Sequence, residues 1–346
     1  MSRTPLIEAK GLGKHFAVSR GPFKKRAVLK AVDGVSFSVG ENESFAIVGE
    51  SGCGKTTLGR LLCGLEAPTE GSIFFGGTPV SALKGEALRG FRSRIQPVFQ
   101  DPFASLNPRM SAEQAIIEPW IIHGLFKDPA RRSRELKRLC DLAGIADFHL
   151  PRYPHELSGG QKQRICIARA LALQPRLLVA DEPVSALDVS IQAQIINLLN
   201  DLRRSLKLAL VFISHDFSVV RQLADRIAVM YLGKFVETAS ADDLLSDPRH
   251  PYTEALLAAV PRPDPGAASR RTLPRPRGDI PDPASPPPGC VFHPRCPYAL
   301  PACRAAEPFL AEVSSGHWAA CPAAPFARRK SAAGVTAIIR RTTWME

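Results

Sequence analysis

No stretch of this 346-residue sequence is long and apolar enough to suggest a membrane span. Its most apolar run, residues 208–213, has six residues, against the ~18 that a bilayer-crossing helix needs. The chain is therefore not expected to be a channel or carrier itself. Residues 1–10 lack the basic-then-apolar pattern of a secretory leader, so a cytoplasmic chain is expected. In that compartment its eight cysteines would be reduced thiols or metal ligands rather than disulfides. No internal repeat is visible. Acidic residues are in deficit, 33 against 45 Lys and Arg, for a formal charge of +12. Basic clusters fall at 24–26, 89–94, 131–138 and 328–330. Each alone reads as solvated surface. Together they would suit nucleic acid or an anionic membrane face, where each nearby Lys or Arg contributes ~1 kcal/mol. Charge does not choose between the two.

What is present is a hydrophobic content of 45%, ample for one full domain and an appendage. Between residues 31 and about 260, short β-rich runs alternate with helical periodicity, the pattern of an α/β domain with a largely parallel sheet. Ser44–Val48, 177–180 and 208–213 are short, nearly unbroken apolar runs, as strands buried on both faces should be. Ile191, Ile195, Leu198, Leu199, Leu202 and Leu206 make one apolar helical stripe. Leu136, Leu139, Cys140 and Ala143 make a second, in a segment without convincing strands that reads as a helical insert, about 101–160. Beyond residue 260 the character changes, because 16 of the 31 prolines lie between Pro261 and Pro325. The expected division is one α/β domain over 1–260, then a proline-rich linker and small irregular cysteine-containing module over 261–346.

Gly49-Glu50-Ser51-Gly52-Cys53-Gly54-Lys55-Thr56, with Thr57 next, fits a phosphate-binding loop between a strand and a helix. Its glycines let the backbone curl so that N–H groups and a helix N-terminus meet phosphates. Lys55 would neutralise the β and γ phosphates of ATP, and the Thr56 hydroxyl would ligate Mg²⁺. The apolar run Leu177-Leu178-Val179-Ala180 then delivers Asp181 and Glu182 to the sheet edge where ligands of open α/β folds bind. Asp181 can hold the Mg²⁺ shell, and Glu182 can orient or deprotonate an attacking water.

Leu157-Ser158-Gly159-Gly160-Gln161 opens another helical run, and with it the sequence resembles the ABC ATPase family, whose signature is this pentapeptide. The resemblance implies a P-loop NTPase fold of ABC type and a second phosphate cradle, at Ser158, Gly159, Gly160 and Gln161, acting on ATP bound to a partner cassette. It implies that Gln100, closing Val98-Phe99-Gln100, senses Mg²⁺ and its water and relays movement to membrane subunits. It further implies that Ser185-Ala186-Leu187-Asp188 communicates across the dimer, that His215 hydrogen-bonds the γ-phosphate and the water, and that Phe16 stacks on adenine.

A closer likeness lies in Phe99-Gln100-Asp101-Pro102-Phe103-Ala104-Ser105-Leu106-Asn107-Pro108, residues 181–190, Tyr231-Leu232-Gly233, His250-Pro251-Tyr252-Thr253 and His293-Pro294-Arg295-Cys296-Pro297. These look like the ATPase subunits of oligopeptide and dipeptide importers, over roughly residues 5–322. Cys53 and Leu58-Gly59-Arg60 look more like the second of the two paired ATPases. The implied partners are a second homologous ATPase, two transmembrane permease subunits and an extracytoplasmic binding protein. The implied place is peripheral, on the cytoplasmic face of the inner membrane, with no nucleic acid. Other readings are an importer of nickel chelates, glutathione or glycoconjugates, a soluble ABC ATPase acting on nucleic acid, and an ATP-binding regulator without turnover. Cys290, Cys296, Cys303 and Cys321 lack the close pairs of structural zinc sites, whereas four thiolates suit an iron–sulfur cluster. Some importer ATPases resemble this arrangement and are thought to hold a 4Fe-4S cluster. Zinc with His293 or His317, and plain reduced thiols, are the alternatives.

Overall fold

The computed structural model describes residues 4–19, 27–260 and 276–322. The basic clusters at 24–26 and 328–330, the linker at 261–275 and the stretch 323–346 lie outside the described residues. The strands are β1 Ile7–Val18, β2 Ala27–Val39, β3 Ser44–Val48, β4 Glu70–Phe75, β5 Thr78–Pro79, β6 Ile95–Val98, β7 Leu177–Asp181, β8 Ala209–Ser214, β9 Arg226–Tyr231, β10 Lys234–Ser240, β11 Ala311–Ser314 and β12 His317–Ala319. The helices used below are α1 Lys55–Leu62, α2 Gly85–Arg94, α3 Pro102–Ser105, α4 Ala112–His123, α5 Pro129–Ala143, α6 Gly159–Leu171, α7 Val189–Leu206, α8 Phe217–Leu223, α9 Ala241–Ser246 and α10 Pro251–Ala258.

A central sheet runs in the order β11-β12-β10-β9-β3-β8-β7-β6. Its heart, β9-β3-β8-β7-β6, is parallel. Period-2 geometry sends alternate residues of these strands to two different cores. Ala46 and Val48 of β3, Leu178 and Ala180 of β7, and Leu210 and Phe212 of β8 pack with the helices on one face. Phe45, Ile47, Leu177, Val179, Val211 and Ile213 pack on the other face against α1 and a second sheet. That second sheet, β2-β1-β4-β5, is antiparallel. Glycines and register shifts break the alternation of β1, which is why the sequence pattern suggests only the parallel sheet.

The segment between Val98 and Leu177 is helical, with no strand among the described residues. Asp128 caps α5, Pro129 occupies its first turn and Gly144 closes it in the left-handed conformation, the three signals that delimit a helix. The expected stripe Leu136, Leu139, Cys140 and Ala143 is its buried face. On α7, Ile195, Leu198, Leu199 and Leu202 are buried, while Ile191 and Leu206 are partly so.

The C-terminal segment is less irregular than its prolines suggest. It forms the hairpin β11–β12, and β12 pairs with β10 through Glu237↔Ala319 and Thr238↔Trp318. The hairpin thus continues the central sheet and covers what would otherwise be an edge strand. Fully buried Glu237 ties this junction together. Its carboxylate accepts from the N–H groups of Arg249, at 2.6 Å, and His250, at 2.9 Å, and meets His317 Nε2 at 2.7 Å. A fully buried carboxylate needs all such partners to offset its desolvation. Replacing His317 by Ala should therefore lower stability by about 2 kcal/mol, seen as a lower urea midpoint with an unchanged slope.

Candidate functional site

The C-terminal ends of the parallel strands border a cleft of about 620 Å³, lined by Gly49 to Thr57, Gln100, Glu182 and His215. At two of its glycines the loop passes where no side chain fits. A Cβ on Gly49 would lie 2.2 Å from the Met230 carbonyl oxygen, and one on Gly54 1.9 Å from that of Ala31. Gly54 also has φ 110°, outside the range of most L-residues. It starts α1 with no side-chain cap, whereas Ser111 and Ser158 cap α4 and α6. An uncapped helix start behind a glycine-rich loop suits an anion. Lys55 is only 4% exposed, and its Nζ donates to the carbonyls of Gly49 at 2.7 Å and Glu50 at 2.9 Å. The curled backbone thereby keeps the ammonium within the loop.

Asp181 ends β7 and is buried. Burial pushes its carboxyl above the usual carboxylate range, and a hydrogen bond with Thr56 pulls against that shift. Its Oδ1 is buried without a protein partner. A carboxylate oxygen left open beside a hydroxyl is a donor pair for a hard cation, so Thr56 and Asp181 fit Mg²⁺.

At Glu182 the backbone turns to φ 45°, and its N–H donates to the Ile213 carbonyl at 2.9 Å. The Glu182 carboxylate accepts from Gln100 Nε2 at 3.0 Å and meets His215 Nδ1 at 3.2 Å. Segments following β6, β7 and β8 therefore converge on one carboxylate. Its side chain is 14% exposed against 57% for that of His215. A carboxylate so held beside a phosphate cleft can orient a water or take its proton. Phe16 lines the same cleft, with Lys14 Nζ 5.2 Å from its ring centroid.

The signature residues stand apart. Ser158, Gly160 and Gln161 line a separate cavity of about 280 Å³ with His149 and Arg164. Ser158 accepts from the Gln161 N–H at 3.3 Å, while the Gln161 side chain accepts from the Ser158 N–H at 2.8 Å. Gly160 lets α6 start close to α7, since a Cβ there would sit 2.5 Å from Ile191 Cγ2, and one on Gly159 would sit 3.0 Å from Leu187 Cδ2. Asp188, at the start of α7, is exposed and makes no side-chain cap.

Several cleft residues escape sequence reasoning: Leu29, Lys30, Ala31, Leu232, Gly233, Leu256 and Pro283 also line it. Leu232-Gly233 is part of a quoted motif, so a signal exists there. Pro283, in a proline-rich stretch, carries none.

The iron–sulfur cluster expected at Cys290, Cys296, Cys303 and Cys321 is not supported. None of the four is in a disulfide, and among the described residues no three His, Cys, Asp or Glu side chains are placed to hold a metal ion. Burial pushes the Cys290 thiol up to about 11 and raises that of Cys296. The two histidines of the zinc alternative have protein partners. His293 Nδ1 lies 2.9 Å from the Cys290 carbonyl, and His317 is engaged by Glu237.

A glycine loop, a buried acid beside Thr56 and a clamped second acid at the ends of parallel strands define a P-loop ATPase of the ABC type. Residues 32–185 match the family model described as ABC transporter, and 236–303 match that of the oligopeptide/dipeptide transporter C-terminal region. AppF of Bacillus subtilis, named an oligopeptide transport ATP-binding protein, is 48% identical over 91% of this chain and 96% of its own length. A Brucella ovis protein provisionally named for peptide import ATP-binding is 50% identical over 93% of this chain and 98% of its own. Among solved structures, the ATP-binding cassette MJ0796, a post-hydrolysis dimer bound to ADP and Pi, aligns at TM-score 0.60 and 28% identity, over 68% of this chain and 98% of its own. CbiO1 of Clostridium perfringens, part of the transporter complex cbiONQ, aligns at TM-score 0.61 and 25% identity, over 70% and 92%.

The chain belongs to the ABC transporter ATP-binding family. Replacing Gly54 by Ala should displace the loop from Ala31, weakening ATP binding by at least about tenfold and stability by about 2 kcal/mol. Titration with a fluorescent ATP analogue, beside thermal melting, checks both effects.

Proposed function

We propose that this chain is the ATP-hydrolysing subunit of an importer of oligopeptide or dipeptide type, peripheral to the cytoplasmic face of the inner membrane. The observation that carries the ATPase role is Glu182, held between Gln100 and His215 at the rim of the phosphate-loop cleft. The peptide assignment rests on the C-terminal match at 236–303 and on the names of the relatives. No helix among the described residues is long and apolar enough to cross a membrane, in keeping with a subunit that drives separate permeases.

Lys55 and the loop from Gly49 to Thr57 hold the phosphates, and Phe16 meets the base. Thr56 and Asp181 would hold Mg²⁺, with Gln100 beside them, and the bound ion supplies neutralisation of phosphate charge. Glu182 orients the attacking water and accepts its proton, while His215 fixes the carboxylate. Ser158, Gly159, Gly160 and Gln161 line a different part of the surface, which supports their acting on the nucleotide of a second ATPase subunit, with Asp188 at the same junction. Two permease subunits and an extracytoplasmic binding protein complete the assembly. Closure of the paired cassettes on ATP would drive the permeases, and hydrolysis would reset them.

Changing Glu182 to Gln keeps the side chain's shape but removes its basicity. Turnover in the reconstituted transporter should fall more than about a hundredfold, with ATP still bound. Hydrolysis at the wild-type rate would remove Glu182 from the mechanism. Ser158→Arg, placed in one subunit of a mixed pair, should impair the site whose phosphate loop belongs to the other subunit. A defect confined to the mutant's own loop would refute the shared site.

A further inference from the structure

Glu50 lies inside the phosphate loop and lines the nucleotide cleft, where a free carboxylate would repel the triphosphate. It is not free. Arg295, a C-terminal residue, donates Nη1 to Glu50 Oε2 at 2.7 Å and Nη2 to Oε1 at 3.1 Å. This two-bond fork fixes orientation as well as charge. The Arg295 side chain is 9% exposed and that of Glu50 27%, so solvent screens the pair less than it would a surface bridge. The main chain of Glu50 is held as well, for its N–H donates to Tyr252 Oη at 2.8 Å.

These two holds share a rigid backing. Tyr252 packs against Tyr231 and Phe292 with centroids 4.6 and 5.3 Å apart, and Tyr231 meets Phe292 edge-on at 5.3 Å. The Arg295 guanidinium lies 5.9 Å from the Tyr231 ring centroid and 6.0 Å from that of Phe292. The Arg295 N–H donates to the Phe292 carbonyl at 3.0 Å, and its carbonyl accepts from Arg277 at 3.0 Å. The C-terminal module therefore presents its arginine to the phosphate loop from a fixed turn.

We propose that Arg295 is a positioning residue of the nucleotide site, which sets the phosphate loop through Glu50 and cancels a negative charge that ATP would otherwise meet. The inference rests on the ATPase reading above. It makes the C-terminal module part of the nucleotide-binding apparatus.

Nucleotide titration of the full chain with a fluorescent ATP analogue tests it. Arg295→Met should weaken ATP binding about tenfold, because the Glu50 carboxylate then faces the phosphates unpaired. The double variant Arg295→Met/Glu50→Gln should recover most of that loss, a rescue that a purely structural arginine would not show. Wild-type affinity in Arg295→Met, or a double variant as weak as the single one, would overturn the inference. Melting curves report folding. Should Arg295→Met not fold, Arg295→Lys keeps the charge without the fork and should bind about threefold more weakly, and unchanged affinity there would overturn the inference equally. A wild-type chain that bound no ATP would instead overturn the ATPase reading, and this inference with it.

Discussion

The site depends on one steric constraint, the passage of the phosphate loop between the carbonyls of Met230 and Ala31. Those atoms would lie 2.2 and 1.9 Å from a Cβ on Gly49 and Gly54 respectively, so only hydrogen atoms can occupy those positions. The constraint couples three parts of the chain. Met230 belongs to β9, Ala31 to β2 of the antiparallel sheet, and the loop itself joins β3 to α1. The antiparallel sheet is therefore more than a cover for the second core, because it supplies one wall of the nucleotide cleft through Leu29, Lys30 and Ala31.

Electrostatics then divides labour among three acids near the cleft. Asp181 is buried, with one oxygen open toward a cation and the other environment set by Thr56. Glu182 is held in place by Gln100 and His215. Glu50 is paired with a guanidinium through a two-bond fork, which cancels its charge and fixes its orientation. One carboxylate type thus serves three purposes, and the partner of each decides which.

Much of the α/β core is legible because its signals are local. β3 is an unbroken run of five buried residues, α5 carries its caps and stripe, and the strand before Asp181 ends in the two acids that the chemistry needs. The antiparallel sheet is hard to read, because β1 and β2 pair through bulges that break the alternation. The last hairpin is harder still, since β12 has three residues and becomes a strand by pairing with β11 and β10. Within the site, the loop and the Asp181-Glu182 pair are legible from motif spacing. The Arg295–Glu50 pair spans 245 positions, and no periodicity or spacing connects residues so far apart. The four late cysteines show the opposite failure. Their spacing suggests a metal, but Cys290, Cys303 and Cys321 are buried in the hydrophobic cluster, with Cys296 partly buried against it.

Among the charged contacts between the C-terminal module and the ATPase core in the described residues, three fix different elements. Glu237 joins β10 to β12 and to the start of α10 through His317 and the N–H groups of Arg249 and His250. Lys234 bridges Asp33 of β2 to Glu307 beyond the linker, and each acid helps hold the lysine pKa up against burial. Arg295 reaches the phosphate loop itself. For stability alone a buried pair such as Glu237 and His317 offers little that well-packed apolar residues would not. Their geometric specificity is the feature that apolar packing lacks. It fixes the C-terminal extension, through Arg295, against the loop that the carbonyls of Met230 and Ala31 already confine.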